Sequence, residues 1–238
     1  MFVFRLFLPL LLMSCATGKL AQKSDVYLDN AKICYEQAEK ALANESYEEA
    51  IRGFEEVRSK YPYSQYAALS DLRLADTYFS QEKWLEAADA YDFYLRFHPR
   101  HEMNPYAWFQ VAQCYYKAVP KNFFLFPKSY LKDQTATQEA LDAIRRYLSQ
   151  YPEGQYAGEA ERMQMGIREQ LAQRDLAIAR HYAKRQKWNA VRARLKNIVE
   201  SYPDTEASKL AKAERLRYLG EVEPLGGDMV STEDKNEK

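Results

Sequence analysis

Apolar and small side chains recur along this chain at the three-to-four spacing of helices, not at the two-residue alternation of strands. Ala50, Phe54 and Val57 make one such stripe, and the step between its first two members returns in Ala87 and Tyr91, Ala140 and Ile144, and Val191 and Leu195. Each stripe runs into a proline, at Tyr61-Pro62, His98-Pro99, Tyr151-Pro152 and Tyr202-Pro203. The proline ring pushes the residue before it out of the helical region, so these pairs end helices. Ser46-Tyr47-Glu48-Glu49 and Thr135-Ala136-Thr137-Gln138 have the spacing of a capping box and mark helix starts. These boundaries predict about ten helices, at roughly 27–43, 47–61, 65–80, 84–97, 104–118, 135–151, 155–171, 174–186, 188–202 and 205–220.

The helices are copies of one another. Ala38, Ala75 and Ala112 stand at a constant step of 37 residues, and the same step takes Tyr47 to Trp84, Ala50 to Ala87, Phe54 to Tyr91 and Pro62 to Pro99. The block before proline recurs as Thr137, Ala140, Ile144 and Pro152 and again as Trp188, Val191, Leu195 and Pro203; in all four copies the first position lies fifteen residues before the proline. Ala38 and Ala50, twelve apart across a turn, let the axes of an antiparallel pair approach closely. These offsets resemble the tetratricopeptide repeat, stretched from its usual length of about 34 residues. The expected fold is therefore all-α, a tetratricopeptide-repeat superhelical solenoid over residues 27–220. The proline step lengthens to 53 between Pro99 and Pro152, which implies an insertion at about 119–134, and to 51 between Pro152 and Pro203, which is read as one additional helix.

The two ends differ from the body. Residues 1–14 carry one cation, Arg5, and an apolar run from Leu6 to Leu12, the signature of a secretory signal. Leu12-Met13-Ser14-Cys15 resembles a bacterial lipobox, which implies cleavage before Cys15 and acylation of that residue. Two or three acyl chains, at roughly 0.8 kcal/mol per buried methylene, hold a domain on a membrane. Ala16 follows the cysteine where an aspartate would resemble an inner-membrane retention signal, which favours the outer membrane. Residues 15–26 are expected to be the lipidated cysteine and a polar tether, and residues 221–238 a disordered tail. Cys34 and Cys114 lie two repeats apart, on the order of 20 Å for helices packed at about 8–10 Å, too far for a disulfide; both are expected to be small buried thiols.

Charge and chemistry narrow the function. Lys and Arg number 34 against 34 Asp and Glu, so no net field gathers a nucleic acid. No run of eighteen apolar residues is present to span a bilayer. The chain has three histidines, of which His98 fills the slot held elsewhere by Tyr61, Tyr151 and Tyr202 and is read as a packing aromatic, not a metal ligand. No nucleophile elbow, phosphate loop, zinc helix or paired-cysteine motif appears. The expectation is a binding protein without metal or cofactor beyond the lipid on Cys15. A solenoid of helix pairs binds peptides or domains on the surface lined by its first helices. Tyr27, Tyr35, Tyr63, Tyr66, Arg73 and Trp108, with Gln113, lie on or beside those helices and are candidates for that groove. The insertion carries Phe123, Phe124, Phe126 and Tyr130 and serves either as a plug or as a docking site.

The lipobox at Cys15, the Tyr-Pro endings, the SQYA and GQYA starts at Ser64 and Gly154, and Lys132-Asp133-Gln134-Thr135 before a helix together resemble the BamD lipoprotein family. The resemblance implies a lipid-anchored scaffold on the periplasmic face of the outer membrane, in the machinery that assembles β-barrel proteins. It implies that the carboxy-terminal repeats hold a POTRA domain of a BamA-like barrel protein and that the amino-terminal repeats receive unfolded outer-membrane proteins. Other assembly lipoproteins are further partners it allows. A family arginine that contacts POTRA, nine residues before the last proline, corresponds to Arg194. A periplasmic tetratricopeptide adaptor for peptidoglycan synthesis or envelope constriction shares the Tyr-Pro style and is the alternative; a lipoprotein enzyme with its site in the insertion would need a nucleophile and base that the insertion lacks.

Overall fold

The computed structural model describes residues 17–119 and 135–220. Cys15, the amino-terminal signal, the tail and all of the insertion except Val119 lie outside the described residues. Among the described residues there are nine α-helices and no strand: α1 (Thr17–Ala43), α2 (Tyr47–Lys60), α3 (Gln65–Ser80), α4 (Trp84–Phe97), α5 (Asn104–Ala118), α6 (Thr135–Gln150), α7 (Ala157–Lys184), α8 (Trp188–Ser201) and α9 (Glu206–Gly220). The chain divides into two compact units, up to Cys114 and from Tyr115 onward. In the first, α1 packs on α2, α2 on α3 and α3 on α4; in the second, α6 packs on α7, α7 on α8 and α8 on α9.

The repeat dictates the core of each unit. Positions twelve, eight and five residues before each proline are Ala50, Phe54 and Val57; Ala87, Tyr91 and Tyr94; Ala140, Ile144 and Tyr147; and Val191, Leu195 and Ile198, and all twelve side chains are completely buried. Burying a large apolar side chain contributes about 1.5–3 kcal/mol, so this row dominates the stability of the second helices. Opposite it, Ala38, Ala75, Ala112 and Ala179, the last three fully buried, stand on the first helices. A methyl group added to Gly53 would meet the Ala38 side chain at 2.7 Å, which measures how closely α1 and α2 approach.

The prolines end the helices as the sequence requires. Tyr61, His98 and Tyr202 have φ of −127°, −124° and −131°, with ψ near 50°, outside the helical region. Helices α2 and α6 start at the expected residues, but α2 lacks the expected capping bond. Ser46 makes no side-chain capping bond. The turn before it closes instead through backbone bonds, Ser46 N–H to the Ala41 carbonyl at 2.9 Å, with Glu45 in the left-handed region at φ 58°.

Two element boundaries correct the sequence reading. Helix α1 begins at Thr17, ten residues before the expected start, so the stretch read as a polar tether is helical from Thr17. The helices expected at 155–171 and 174–186 are one, the 28-residue α7, which reduces ten helices to nine among the described residues. Fourteen extra residues are close to four turns at about 3.6 residues each. Inserted into a helix they return its apolar face to nearly the same direction, and no turn is needed. Met163, Ile167, Leu171, Ala172, Asp175, Leu176 and Ala179 form one unbroken buried stripe through the expected break, where neither Gly nor Pro stands.

Candidate functional site

In the first unit the inward polar residues of α1, α3 and α5 are joined end to end. Arg73 on α3 sets Nε 2.9 Å from Glu39 Oε1 on α1 and NH1 2.8 Å from Asp76 Oδ2 one turn along its own helix. The Tyr35 hydroxyl lies beside the same guanidinium. Asp76 Oδ1 accepts from the Tyr91 hydroxyl at 2.5 Å and the Tyr106 hydroxyl at 2.9 Å. Gln110 Nε2 in turn donates to the Tyr106 oxygen at 2.7 Å. A carboxylate cannot donate, so Tyr106 must give its proton to Asp76, and its oxygen then takes a donor from Gln110. The amide orientation of Gln110 follows from that chain.

The helix repeat explains the alignment. The step of 37 relates Glu39 to Asp76 and Arg73 to Gln110, so one repeat position supplies the carboxylates of α1 and α3 and another the long donors of α3 and α5. Burial and the Asp76 charge push Tyr106 up to about 12. The same two causes, in the same order, hold Tyr91 well above the ordinary tyrosine range. Desolvation works against the charge of Arg73, but hydrogen bonds to Tyr35 and Asp76, with the charges of Asp76 and Glu39, outweigh it and raise its pKa. The chain is thus a fixed cation and fixed anions bridged by neutral hydroxyl donors.

The aromatic candidates fall into three places. Tyr35 packs between Phe54 and Tyr66, with ring centroids 5.8 and 5.4 Å away, at the Arg73 end of the polar chain. Tyr27 lies edge-on to Tyr61 at 5.2 Å, and its hydroxyl accepts the Tyr63 backbone N–H at 3.4 Å, so it pins the turn between α2 and α3. Tyr63 itself is 94% exposed. Trp108 is apart from these and faces α4 across a hollow of about 450 Å³ lined by Asp89, Asp92, Leu95 and Arg96. Tyr35, Tyr66 and Arg73 therefore come together, and Trp108 does not join them. The sequence marks Tyr91 only as a core aromatic and does not mark Asp76, Tyr106 or Gln110, though the repeat step, applied to polar positions as well as apolar ones, points to Asp76 and Gln110.

His98 stacks on Tyr94 at 5.2 Å, as a packing aromatic would, and its Nε2 also lies 2.8 Å from the buried Asp71 carboxylate, which Arg58 approaches at 3.4 Å. Cys114 is buried as expected, whereas Cys34 is only half-buried, and neither forms a disulfide. In the second unit Arg194 on α8 sets NH1 3.4 Å from Asp175 on α7, a carboxylate only 7% exposed. The positions equivalent to Arg194 in the other copies are Gly53, Ala90 and Ala143, so the last repeat replaces a small residue with a long cation. Arg168 clamps Asp204 with two nitrogens, donates to the Ser201 carbonyl at 3.2 Å and lies over the Tyr202 ring at 5.7 Å, which ties α7 to the turn between α8 and α9.

Residues 29–223 match the YfiO family, described as outer membrane lipoproteins. The match begins beyond Cys15. Relatives named outer membrane protein assembly factor BamD also match the chain. That of Caulobacter vibrioides is 28% identical over 192 residues, 80% of this chain, and the chain spans 60% of that relative's length. That of Vibrio cholerae is 28% identical over 74% of this chain and 73% of its own length. That of Neisseria gonorrhoeae is 27% identical over 83% of this chain and 76% of its own.

Proposed function

This chain belongs to the YfiO family of outer membrane lipoproteins, and from that membership we propose that it is a non-catalytic scaffold in the assembly of outer-membrane β-barrel proteins. The first unit receives unfolded barrel segments on the face of its first helices, and the second unit holds a POTRA domain of a BamA-like barrel protein, with Arg194 at that contact. Cys15 carries the lipid that keeps both units at the periplasmic face of the outer membrane. The observation that carries the reading is the polar and aromatic chain running through Tyr35, Tyr66, Arg73, Asp76, Tyr106 and Gln110. Its buried members, Asp76 and Gln110, fix the half-buried Tyr35, Tyr66, Arg73 and Tyr106 along the first helices α1, α3 and α5, where ring faces and a guanidinium suit an extended segment held without bond cleavage.

The test is a crosslinking pull-down from envelope extracts with the body from Ala16 onward, read by mass spectrometry. Capture of a POTRA-containing barrel protein is expected, with loss in Arg194→Glu. That substitution also sets a second carboxylate against Asp175, so it is repeated with Asp175→Asn, which removes the repulsion. Capture restored in the double variant would reduce Arg194 to a fold contact, and recovery of peptidoglycan synthases or constriction proteins without the barrel protein would replace this reading with the envelope adaptor.

A further inference from the structure

The first unit has a second surface that the polar chain does not use. On α4, Leu85, Asp89, Asp92 and Arg96 stand at i, i+4, i+7 and i+11 and share one helix face. Leu85 is 55% exposed and Asp89 is exposed. Trp108 reaches across from α5 to close the hollow of about 450 Å³ over that face. Arg96 turns its Nε back to the Asp92 carbonyl at 3.3 Å, so its head is drawn toward its own helix. Beside the face, Phe93 and Phe97 stack at 4.3 Å, and Phe97 is 63% exposed.

The unit that carries this surface is acidic although the chain as a whole is neutral. Between Thr17 and Cys114 sixteen Asp and Glu stand against eleven Lys and Arg, and between Thr135 and Gly220 the two numbers are reversed. A ring face with a carboxylate at its edge attracts an ammonium or guanidinium through both groups, and exposed aliphatic and aromatic side chains nearby suit apolar neighbours of that cation. A hollow of about 450 Å³ has room for one or two side chains, not for a folded surface.

We infer that the α4–α5 face is a docking surface for a partner-protein segment that carries a Lys or Arg between apolar residues. The cation sits on Trp108 beside Asp89, and an apolar neighbour covers Leu85. The surface is separate from the inner face of the first helices, and the inference stands whether or not that face receives barrel proteins.

The test uses the full chain and a fluorescein-labelled octapeptide of alternating Leu and Arg, followed by fluorescence anisotropy, with a Leu and Glu octapeptide as the counter-probe. Saturable binding of the Arg peptide alone is expected, weakened at least about fivefold in both Asp89→Asn and Trp108→Leu. Glu48→Gln, which removes a carboxylate beside the separate hollow at Tyr47, is expected to change affinity less than about twofold. Asp89 is exposed, so its variant remains informative if Trp108→Leu fails to fold. Equal binding of both peptides, equal loss in Glu48→Gln, or unchanged affinity in Asp89→Asn would overturn the inference. A salt-sensitive dimer in sedimentation that disappears in Asp89→Asn would assign the face to a second copy and overturn it as well.

Discussion

The Tyr91 hydroxyl on α4 donates to the Asp76 carboxylate on α3 at 2.5 Å, and the Tyr106 hydroxyl on α5 donates to the same oxygen at 2.9 Å. One carboxylate thereby ties three helices of the first unit together. Asp76→Asn replaces an acceptor-only group with one that brings donors of its own, which leaves buried polar atoms mismatched at a cost of about 1–3 kcal/mol. Urea unfolding at neutral pH should show that loss, and Asp89→Asn on the exposed face of α4 should not.

The raised tyrosines give the alkaline limb of stability its sign. Tyr106 loses its proton near pH 10 in the unfolded chain and at about 12 in the folded one, so between those values the folded state holds the extra proton. Its contribution is fully present below about pH 10 and is lost as pH rises toward 12. Unfolding midpoints measured from pH 9 to 12 should fall, and Tyr106→Phe should make the fall shallower. A slope unchanged in that variant would detach Tyr106 from the effect.

Glu45, Glu82 and Gln186 each adopt φ of 58° in the turn between the helices of a pair, a conformation that costs a residue with a Cβ about 1–2 kcal/mol. Glycine avoids that cost but loses about 0.5–1 kcal/mol through its freer unfolded state. The net expectation for Glu82→Gly is a gain of up to about 1 kcal/mol. A β-branched Glu82→Val should destabilise. Thermal melts of the two variants check both signs.

Glycines elsewhere should respond in opposite directions. A side chain on Gly53 would fall 2.7 Å from the Ala38 methyl and 3.3 Å from its Cα, so Gly53→Ala forces α1 and α2 apart and should cost about 1–3 kcal/mol. On Gly158 the nearest atom is the mobile Arg162 guanidinium at 3.8 Å, and Gly158→Ala should gain a few tenths up to about 1 kcal/mol from helix propensity. Equal effects at the two sites would remove the close-approach argument for Gly53.

Glu169 on α7 supplies a cap that no local sequence motif announces. Its Oε2 accepts the backbone N–H of Glu206 at 2.8 Å and that of Ala207 at 3.4 Å, the first two residues of α9. Glu169→Ala should cost about 1 kcal/mol, as the loss of a helix cap does, and Glu169→Gln, which keeps an acceptor, should cost less. Amide hydrogen exchange should show faster opening at the start of α9 in the alanine variant and no change in the first unit.

The sequence by itself determined the all-helical class, the helix ends at Tyr61, His98 and Tyr202, and the buried row from Ala50 to Ile198. Those features depend on local backbone sterics and on a repeated spacing, both of which are written in consecutive residues. The family was legible in short motifs, the Tyr-Pro endings, the SQYA and GQYA starts and the residues before Thr135. Only the tertiary structure decided that α7 runs unbroken, because a fourteen-residue excess is equally an extra helix or four added turns until the buried stripe is seen to continue through Ala172. It alone joined Glu39, Arg73, Asp76, Tyr91, Tyr106 and Gln110 and turned Trp108 toward α4. Which way a polar or aromatic side chain turns depends on the helices on either side of its own. Hydrogen-bond partners some fifteen and thirty residues distant, as Tyr91 and Tyr106 are from Asp76, are set by packing and not by sequence neighbours.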